Sequence, residues 1–374
     1  MFKIRPILIL AAGLVVGSMA LPTRADDAAE ANLAKINLPP GFEIEVFAEI
    51  PLAREMAVVE RMGVVFVGTS GDTVYAVVDR DKDRVVDEVV KIATGLDMPA
   101  GVAFKDGYLF VAAADRILRY VVSEVRPGQR YRALVINFDL PKAHPPGRRY
   151  AAIGPDGKLY VALGAPCNVC EVSGFEATIL RMNLDGSESE VYAQGVRSAG
   201  GMDFEPETGQ LFFTDNGVDG MGDDSPPDEL NHAPWAGFNF GFPWYAGGRV
   251  KAPGYEDATP PDDAMMPVVR FGAHTTPLGI HFYRGKMFPK AYRRESAYIA
   301  QHGSRDRAEP IGYRILQLHF DDGRPTGVDI FADGWLEGGE PWGRPVDIKE
   351  LGDGSLLVSD DHAGLIYRIT YTGP

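Results

Sequence analysis

The chain has 374 residues, a net charge of −15 and only two cysteines. So acidic a balance excludes a nucleic-acid or anionic-membrane footprint, which needs clustered Lys and Arg. It fits an exported protein able to hold cations, and two cysteines are too few for a structural zinc site.

At the N-terminus Lys3 and Arg5 precede the apolar run Ile7 to Ala20, and small residues follow. The pattern predicts a secretory signal over residues 1–25, cleaved after Ala25 or Ala20. The run is short for a membrane span, and no stop-transfer charges follow it. Cleavage removes Lys3, Arg5 and Arg24 and no acid, so the mature charge is −18. No later segment is long enough to span a bilayer. The expected location is therefore periplasmic or secreted, with no membrane insertion after cleavage.

Next comes FEIEVFAEI (Phe42 to Ile50), which alternates like a strand. After it a three-strand unit recurs. Its first strands read MAVV, GVAF, YAAI, GMDF, GIHF and VDIK. Its second strands read VVFVG, YLFVA, KLYVA, LFFT, SAYIA and SLLVS, and its third TVYAV, RILRY, TILRM, ELNHA, RILQL and LIYRI. These strands are apolar on both faces, as strands sandwiched between neighbouring sheets are. Gly-containing turns such as Gly154 to Gly157 and Gly352 to Gly354 join first to second strands. Six copies without helical periodicity predict an all-β fold, a six-bladed β-propeller, with the Phe42 strand closing the last blade. Residues 26–374 then form one propeller domain. The repeat is longer than the roughly 40–50 residues of common blades, and the surplus sits at about 214–275.

Loops entering the first strands converge on one rim of such a ring. They carry Arg54, Pro99, His144 to Arg149, Arg197, His274 to Pro277, and Arg344 with Pro345. Converging guanidiniums repel unless an anion lies between them. The rim is therefore expected to receive a polyanion, and carboxylates suit bidentate Arg geometry.

Between the second and third strands of the third copy lies Cys167-Asn168-Val169-Cys170. In an oxidising compartment a short-loop disulfide is the default. A c-type haem would need His where Glu171 stands. The fourth copy contains TDNGVDGMGDDSPPDELN, Thr214 to Asn231. Its Asp215, Asp219, Asp223, Asp224, Asp228 and Glu229, punctuated by Gly and Pro, predict a loop rich in oxygen ligands suited to calcium. The EF-hand template does not fit it. The flanks LFFT and FNFGFPW read as strands.

Taken together these segments resemble the soluble PQQ-dependent sugar dehydrogenases, most closely the sorbosone dehydrogenase-like branch. The resemblance is carried by LPPGFEIEVFAE, GPDGKLYVALGAPCNVCE, QGVRSAGGMDF, the TDNG…DELN loop with FNFGFPW, TTPLGIHFY, HGSRDRAEPIGYRI and GRPVDI. It implies pyrroloquinoline quinone (PQQ), a tricarboxylate ortho-quinone, held on the rim with Ca²⁺ on its carbonyl. It also implies a sugar, sugar aldehyde or polyol as substrate, and electrons passed to an external acceptor. His144 matches the general base, and Arg197 joins it in the catalytic set. Arg148, Arg197, Asn216, His274, Arg305 and Arg344 match cofactor-contact positions. Gly217 and Val218 match backbone ligands of the catalytic calcium, and Asp228 and Glu229 match ligands of a second, structural calcium. The chain departs from the pattern at Ser198 and Val346, and Ser304 or Arg305 replaces the cofactor lysine of the glucose-oxidising branch.

Two other readings use the same fold. A calcium-dependent lactonase would need inward carboxylates on the first strands, where Asp203 and Asp347 are the candidates. A non-enzymatic glycan- or protein-binding propeller would account for Ser198 and Val346.

Overall fold

The structure is a computed structural model and describes residues 31–137, 140–141, 149–305 and 307–373. The signal region, His144 and Arg148 lie outside the described residues. Each recurring unit forms an antiparallel sheet, and the inner three strands coincide with the three apolar segments of each copy. The innermost strands are Ala53–Val59, Gly101–Lys105, Tyr150–Ile153, Ala199–Phe204, Pro277–Phe282 and Pro345–Glu350. Each packs against the next, and the sixth returns to the first. Among the described residues this makes six blades in a closed ring, a β-propeller.

The core is divided by the same geometry. Six apolar clusters lie between successive blades, such as Phe66 with Leu109 and Val111 between the first and second, and Phe212 with Ile280 and Ile299 between the fourth and fifth. A strand squeezed between two such clusters must be apolar on both faces, as the sequence shows. At the axis the strands approach too closely for side chains at some positions. A Cβ on Gly279 would lie 2.6 Å from Asp347 Cα.

The fourth, outer strands carry little sequence signal. They include Glu88–Ala93, Ala133–Asn137 and the two-residue Val269–Arg270. The sixth blade takes its outer strand from the N-terminal side. Phe42–Glu49 pairs antiparallel with Leu365–Tyr371. Phe42 then meets Phe288, Phe331 and Tyr371 at ring-centroid distances of 4.8, 5.1 and 4.9 Å. Replacing Phe42 with alanine should therefore cost about 3–5 kcal/mol. A urea-denaturation midpoint that falls by less than about 1 kcal/mol equivalent would show that this strand does not fasten the ring.

The insertion does not extend one blade. FNFGFPW is mostly turn, in contrast to the strand expected from its aromatic content. Only Phe238–Asn239 pairs, in parallel with Ala193 and Gln194 on the outer edge of the third blade. Gly241 at φ +95° and Pro243, which lacks an N–H, end that pairing. A hairpin of Tyr245–Gly247 and Val250–Lys251 follows. A small apolar cluster of Ala177, Val218, Phe242, Ala246 and Ala252 forms beneath it.

Candidate functional site

Every innermost strand is entered from the same face, so the residues just before these strands gather around the axis. There Arg54, Arg149, Ser198, Asn216, Thr276 and Val346 border a recess with Glu55 and Asp347.

Of the guanidiniums expected on the rim, Arg54 and Arg149 border this recess and Arg197 a second one, and the protein itself supplies acceptors for most of them. Arg197 donates to the Asn168 backbone oxygen (3.1 Å), Asn168 Oδ1 (2.7 Å), Asn216 O (3.1 Å) and Asp219 Oδ2 (2.9 Å). Asn168 sits inside the Cys167–Cys170 disulfide loop, which gives that short loop a task in holding the rim. Arg344 donates to Gly303 O (3.1 Å) and stacks on Tyr313, with its guanidinium carbon 4.9 Å from the ring centre. Arg54 pairs with Asp361 at 2.9 Å. Asp361 also accepts from His302 Nε2 at 2.8 Å. Burial pushes His302 down to about 4, against the pull of Asp361, so its ring is neutral at pH 7.

Arg149 is different. It is buried, and its Nη2 donates to Ala114 O (3.2 Å) and Pro141 O (2.6 Å). Among the described residues its Nε and Nη1 have no hydrogen-bond partner. Burial lowers its pKa to about 10, which still leaves it charged at neutral pH. A buried cation with two idle donors costs stability unless something anionic reaches it. Asn216 Oδ1, on the same recess, is likewise buried without a partner among the described residues.

The acidic loop, residues 216–228, joins the second and third strands of the fourth blade and lies over the rim. Basic rim groups hold it in place. His274, at φ +63°, places Nε2 2.9 Å from Gly222 O. Arg307 bonds Asp223 O and pairs with Asp224 at 3.2 Å. Arg197 takes Asp219, as described. Arg305 is exposed on the neighbouring loop.

At the loop's root, Asp228 accepts from Gly217 N (2.9 Å), Thr276 N (2.8 Å) and Thr275 Oγ1 (3.1 Å). Glu229 accepts from Asn231 Nδ2 (2.8 Å) and from Gly248 N. Asp215 accepts from Arg197 N (2.9 Å) and Ser198 N. Burial raises all three carboxyls, Asp215 to about 7; Glu229 rises to about 8, through burial and then the nearby Asp215. Asp215, Asn216, Gly217 and Glu229 line a second cavity of about 250 Å³. Gly217 is needed there by contact, because a Cβ would lie 2.9 Å from Pro226 Cγ and Pro227 O. Val218 is buried and donates to Ala246 O at 2.9 Å. Asp228 and Glu229 thus tie the loop's far end to the fifth blade and to the hairpin.

The channel floor holds one residue that sequence reasoning missed. Glu55 lies inside Ala53–Val59, and burial raises its carboxyl strongly. It accepts from Val102 N (3.0 Å) and Ala151 N (2.9 Å), and so joins three blades. Asp347 accepts from Met56 N (2.9 Å) and Tyr150 Oη (3.0 Å), and Asp203 from Phe282 N (2.8 Å). These inward carboxylates stitch neighbouring innermost strands together. A lactonase-type calcium would have to compete with backbone amides for them. The only hint in the sequence was an acid beside an arginine at the start of the first strand.

Comparison with known proteins fits this geometry. Residues 140–300 match the family described as Glucose / Sorbosone dehydrogenase, and residues 240–372 match TrAA12-like. A protein of Borreliella burgdorferi, described only as uncharacterized, is 34% identical over 362 residues, 92% of this chain and 93% of that one. Over residues 140–300 the chain is similar to the glucose/sorbosone dehydrogenase family. Among solved structures, a calcium structure of a Trichoderma reesei carbohydrate-active enzyme of family AA12 superimposes with a TM-score of 0.76 at 18% identity. It covers 90% of this chain and 97% of its own. The holo PQQ domain of pyranose dehydrogenase from Coprinopsis cinerea gives 0.71 at 16% identity, with the same coverage of each chain. Both share the propeller fold of this chain. No helix among the described residues is long and apolar enough to cross a membrane.

Proposed function

We propose that the protein is an exported quinoprotein that oxidises a sugar, a sugar aldehyde of the sorbosone or aldose type, or a polyol. The rim recess would hold PQQ together with Ca²⁺, and electrons would leave to an external acceptor. One observation carries the reading: the buried Arg149 guanidinium, with Nε and Nη1 idle among the described residues, borders the recess at the axis. A ligand with several carboxylates is the kind of group that relieves that deficit. The family similarity over residues 140–300, and a structural relative whose description names a PQQ domain, point the same way.

The residues present fit such a group. Arg149 donates to a ligand carboxylate, and Asn216 Oδ1 accepts from a ligand N–H or O–H. Arg197, Arg344, His274 and Arg305 act chiefly by shaping the rim, with the first three already bonded to protein oxygens. The backbone at Gly217 and Val218 faces the calcium, while Asp228 and Glu229 fix the loop that presents it. His144 takes the proton from the substrate hydroxyl, a role suited to a neutral imidazole near pH 7. When bound, PQQ supplies the hydride acceptor and Ca²⁺ the Lewis acid on its carbonyl.

Neither alternative gains a specific observation. The inward carboxylates a hydrolase would use are engaged by backbone amides, and the non-enzymatic glycan- or protein-binding reading rests on Ser198 and Val346 alone. The test is turnover of aldoses and sorbosone with a dye acceptor, after the mature protein is reconstituted with PQQ and CaCl₂. Activity requiring both additions is expected. Lactone hydrolysis without PQQ, or no oxidation of any of these substrates, would refute the proposal.

A further inference from the structure

On the face opposite the rim, Val74–Val78 and Glu88–Ala93 of the first blade are joined by Asp79-Arg80-Asp81-Lys82-Asp83-Arg84-Val85-Val86-Asp87. One carboxylate oxygen from each of Asp79, Asp81 and Asp87 lies within 4.8 Å of the others. Ca²⁺ binds oxygens at 2.3–2.6 Å, so oxygens up to about 5 Å apart can share one ion. Crowded surface acids alone would mean little, but Asp79 is only 5% exposed. Its Oδ2 accepts from Arg84 N at 3.1 Å, and its Oδ1 is buried with no partner among the described residues.

The loop's other bonds leave the same opening. Asp87 Oδ2 accepts from Arg80 N (2.7 Å), Asp83 Oδ1 from Val85 N (2.8 Å) and Asp81 Oδ1 from Asp83 N (3.4 Å). The cations of the loop do not fill it. Arg80 pairs with Glu88, and Arg84 reaches Glu60 (2.8 Å) and Asp353 (3.1 Å). The acids stand at positions 1, 3, 5 and 9 of the loop, with the Val85 carbonyl at 7. Those are the offsets of an EF-hand loop, whose glycine at 6 provides the sharp turn. Arg84 occupies position 6 here and takes the left-handed conformation itself, at φ +75°.

We propose that Asp79, Asp81, Asp83 and Asp87, with the Val85 carbonyl, form a calcium site separate from the rim. Position 12 is Val90, so the bidentate glutamate of an EF-hand is missing and water completes the shell. Affinity should fall in the weak range of extracellular modules, about 10⁻⁴–10⁻³ M. The ion fixes the turn that carries Arg84. Arg84 in turn spans from the first blade to Asp353 of the sixth, next to Glu60, which accepts from Gly352 N at 3.0 Å. The site therefore braces the junction where the ring closes.

The test uses EDTA-stripped mature protein without PQQ, titrated with CaCl₂ at millimolar concentrations. Bound calcium is counted by equilibrium dialysis, and hydrogen exchange is followed across residues 79–90. The wild type should bind one more equivalent than the Asp81→Asn/Asp87→Asn variant, whose changed side chains are exposed and should not impair folding. Calcium should slow exchange at 79–90 in the wild type and leave it unchanged in the variant. Asp79→Asn should also lose that equivalent. Equal calcium counts in wild type and variants, or unchanged exchange at 79–90 in the wild type, would overturn the proposal.

Discussion

Replacing His144 with alanine should lower kcat of the PQQ- and Ca²⁺-reconstituted protein by about 10²–10⁴-fold, the usual contribution of a positioned general base. PQQ uptake should be unchanged, because a base that acts on the substrate hydroxyl contributes little to holding the cofactor. The assignment rests on the resemblance and on the position of His144 in the sequence, shortly before Arg149. An imidazole with an ordinary pKa near 6.5 is largely neutral at pH 7 and can accept a proton. The other rim imidazoles are committed elsewhere. His302 is buried against Asp361, and His274 is bonded to the Gly222 carbonyl. A His144→Ala enzyme with wild-type kcat would remove the residue from the chemistry. A loss of PQQ binding instead would make it a cofactor contact.

The second large effect is expected at Arg149. Methionine has similar length and no charge, so Arg149→Met keeps the packing and removes the guanidinium. If Arg149 were a satisfied structural cation, removing it would strand its partners and cost about 3–5 kcal/mol. The structure indicates otherwise, with two of its nitrogens idle among the described residues. The lost bonds to Ala114 O and Pro141 O are offset by no longer burying an underbonded charge. The cofactor-free variant should therefore unfold within about 1 kcal/mol of the wild type. Its PQQ affinity should fall by about 10²-fold or more, since two charge-assisted hydrogen bonds are worth about 1.5–3 kcal/mol each. Strong destabilisation with undiminished PQQ affinity would make Arg149 a structural residue.

The ring was legible in the sequence because of where its strands lie. Segments such as Val64–Thr69 and Leu211–Asp215 are buried on both faces between neighbouring sheets, and only continuous apolar residues satisfy that. Outer strands escaped notice because one side faces water, as the exposed positions of Ala133–Asn137 show. The closing strand was readable from its alternation, since Phe42–Glu49 has one covered face.

The site was only partly legible. Spacing placed Arg197 and Arg344 at the entries of innermost strands, just before Ala199–Phe204 and Pro345–Glu350. Spacing could not say which anion or carbonyl answers each charge, because those partners come from distant segments. Asn168 and Asp219 answer Arg197, the carbonyls of residues 302–304 answer Arg344, and Asp361 answers Arg54. The underbonded cation is Arg149, next to the position the family pattern favoured. Its distinction is its burial and two nitrogens without a partner among the described residues, neither of which spacing reports. Likewise the acids of 216–228 invited a metal, yet much of that loop is tied down by Arg197, His274 and Arg307. The Asp79 to Asp87 loop passed unnoticed because Lys82, Arg80 and Arg84 mask its charge in the linear sequence.

The most direct test of the central claim is a calorimetric titration of PQQ into the metal-loaded wild-type protein. The account predicts one equivalent of PQQ bound per chain, in a Ca²⁺-dependent manner, with a shifted quinone absorbance band. Titration to millimolar PQQ without heat or spectral change, in the presence of Ca²⁺, would contradict it.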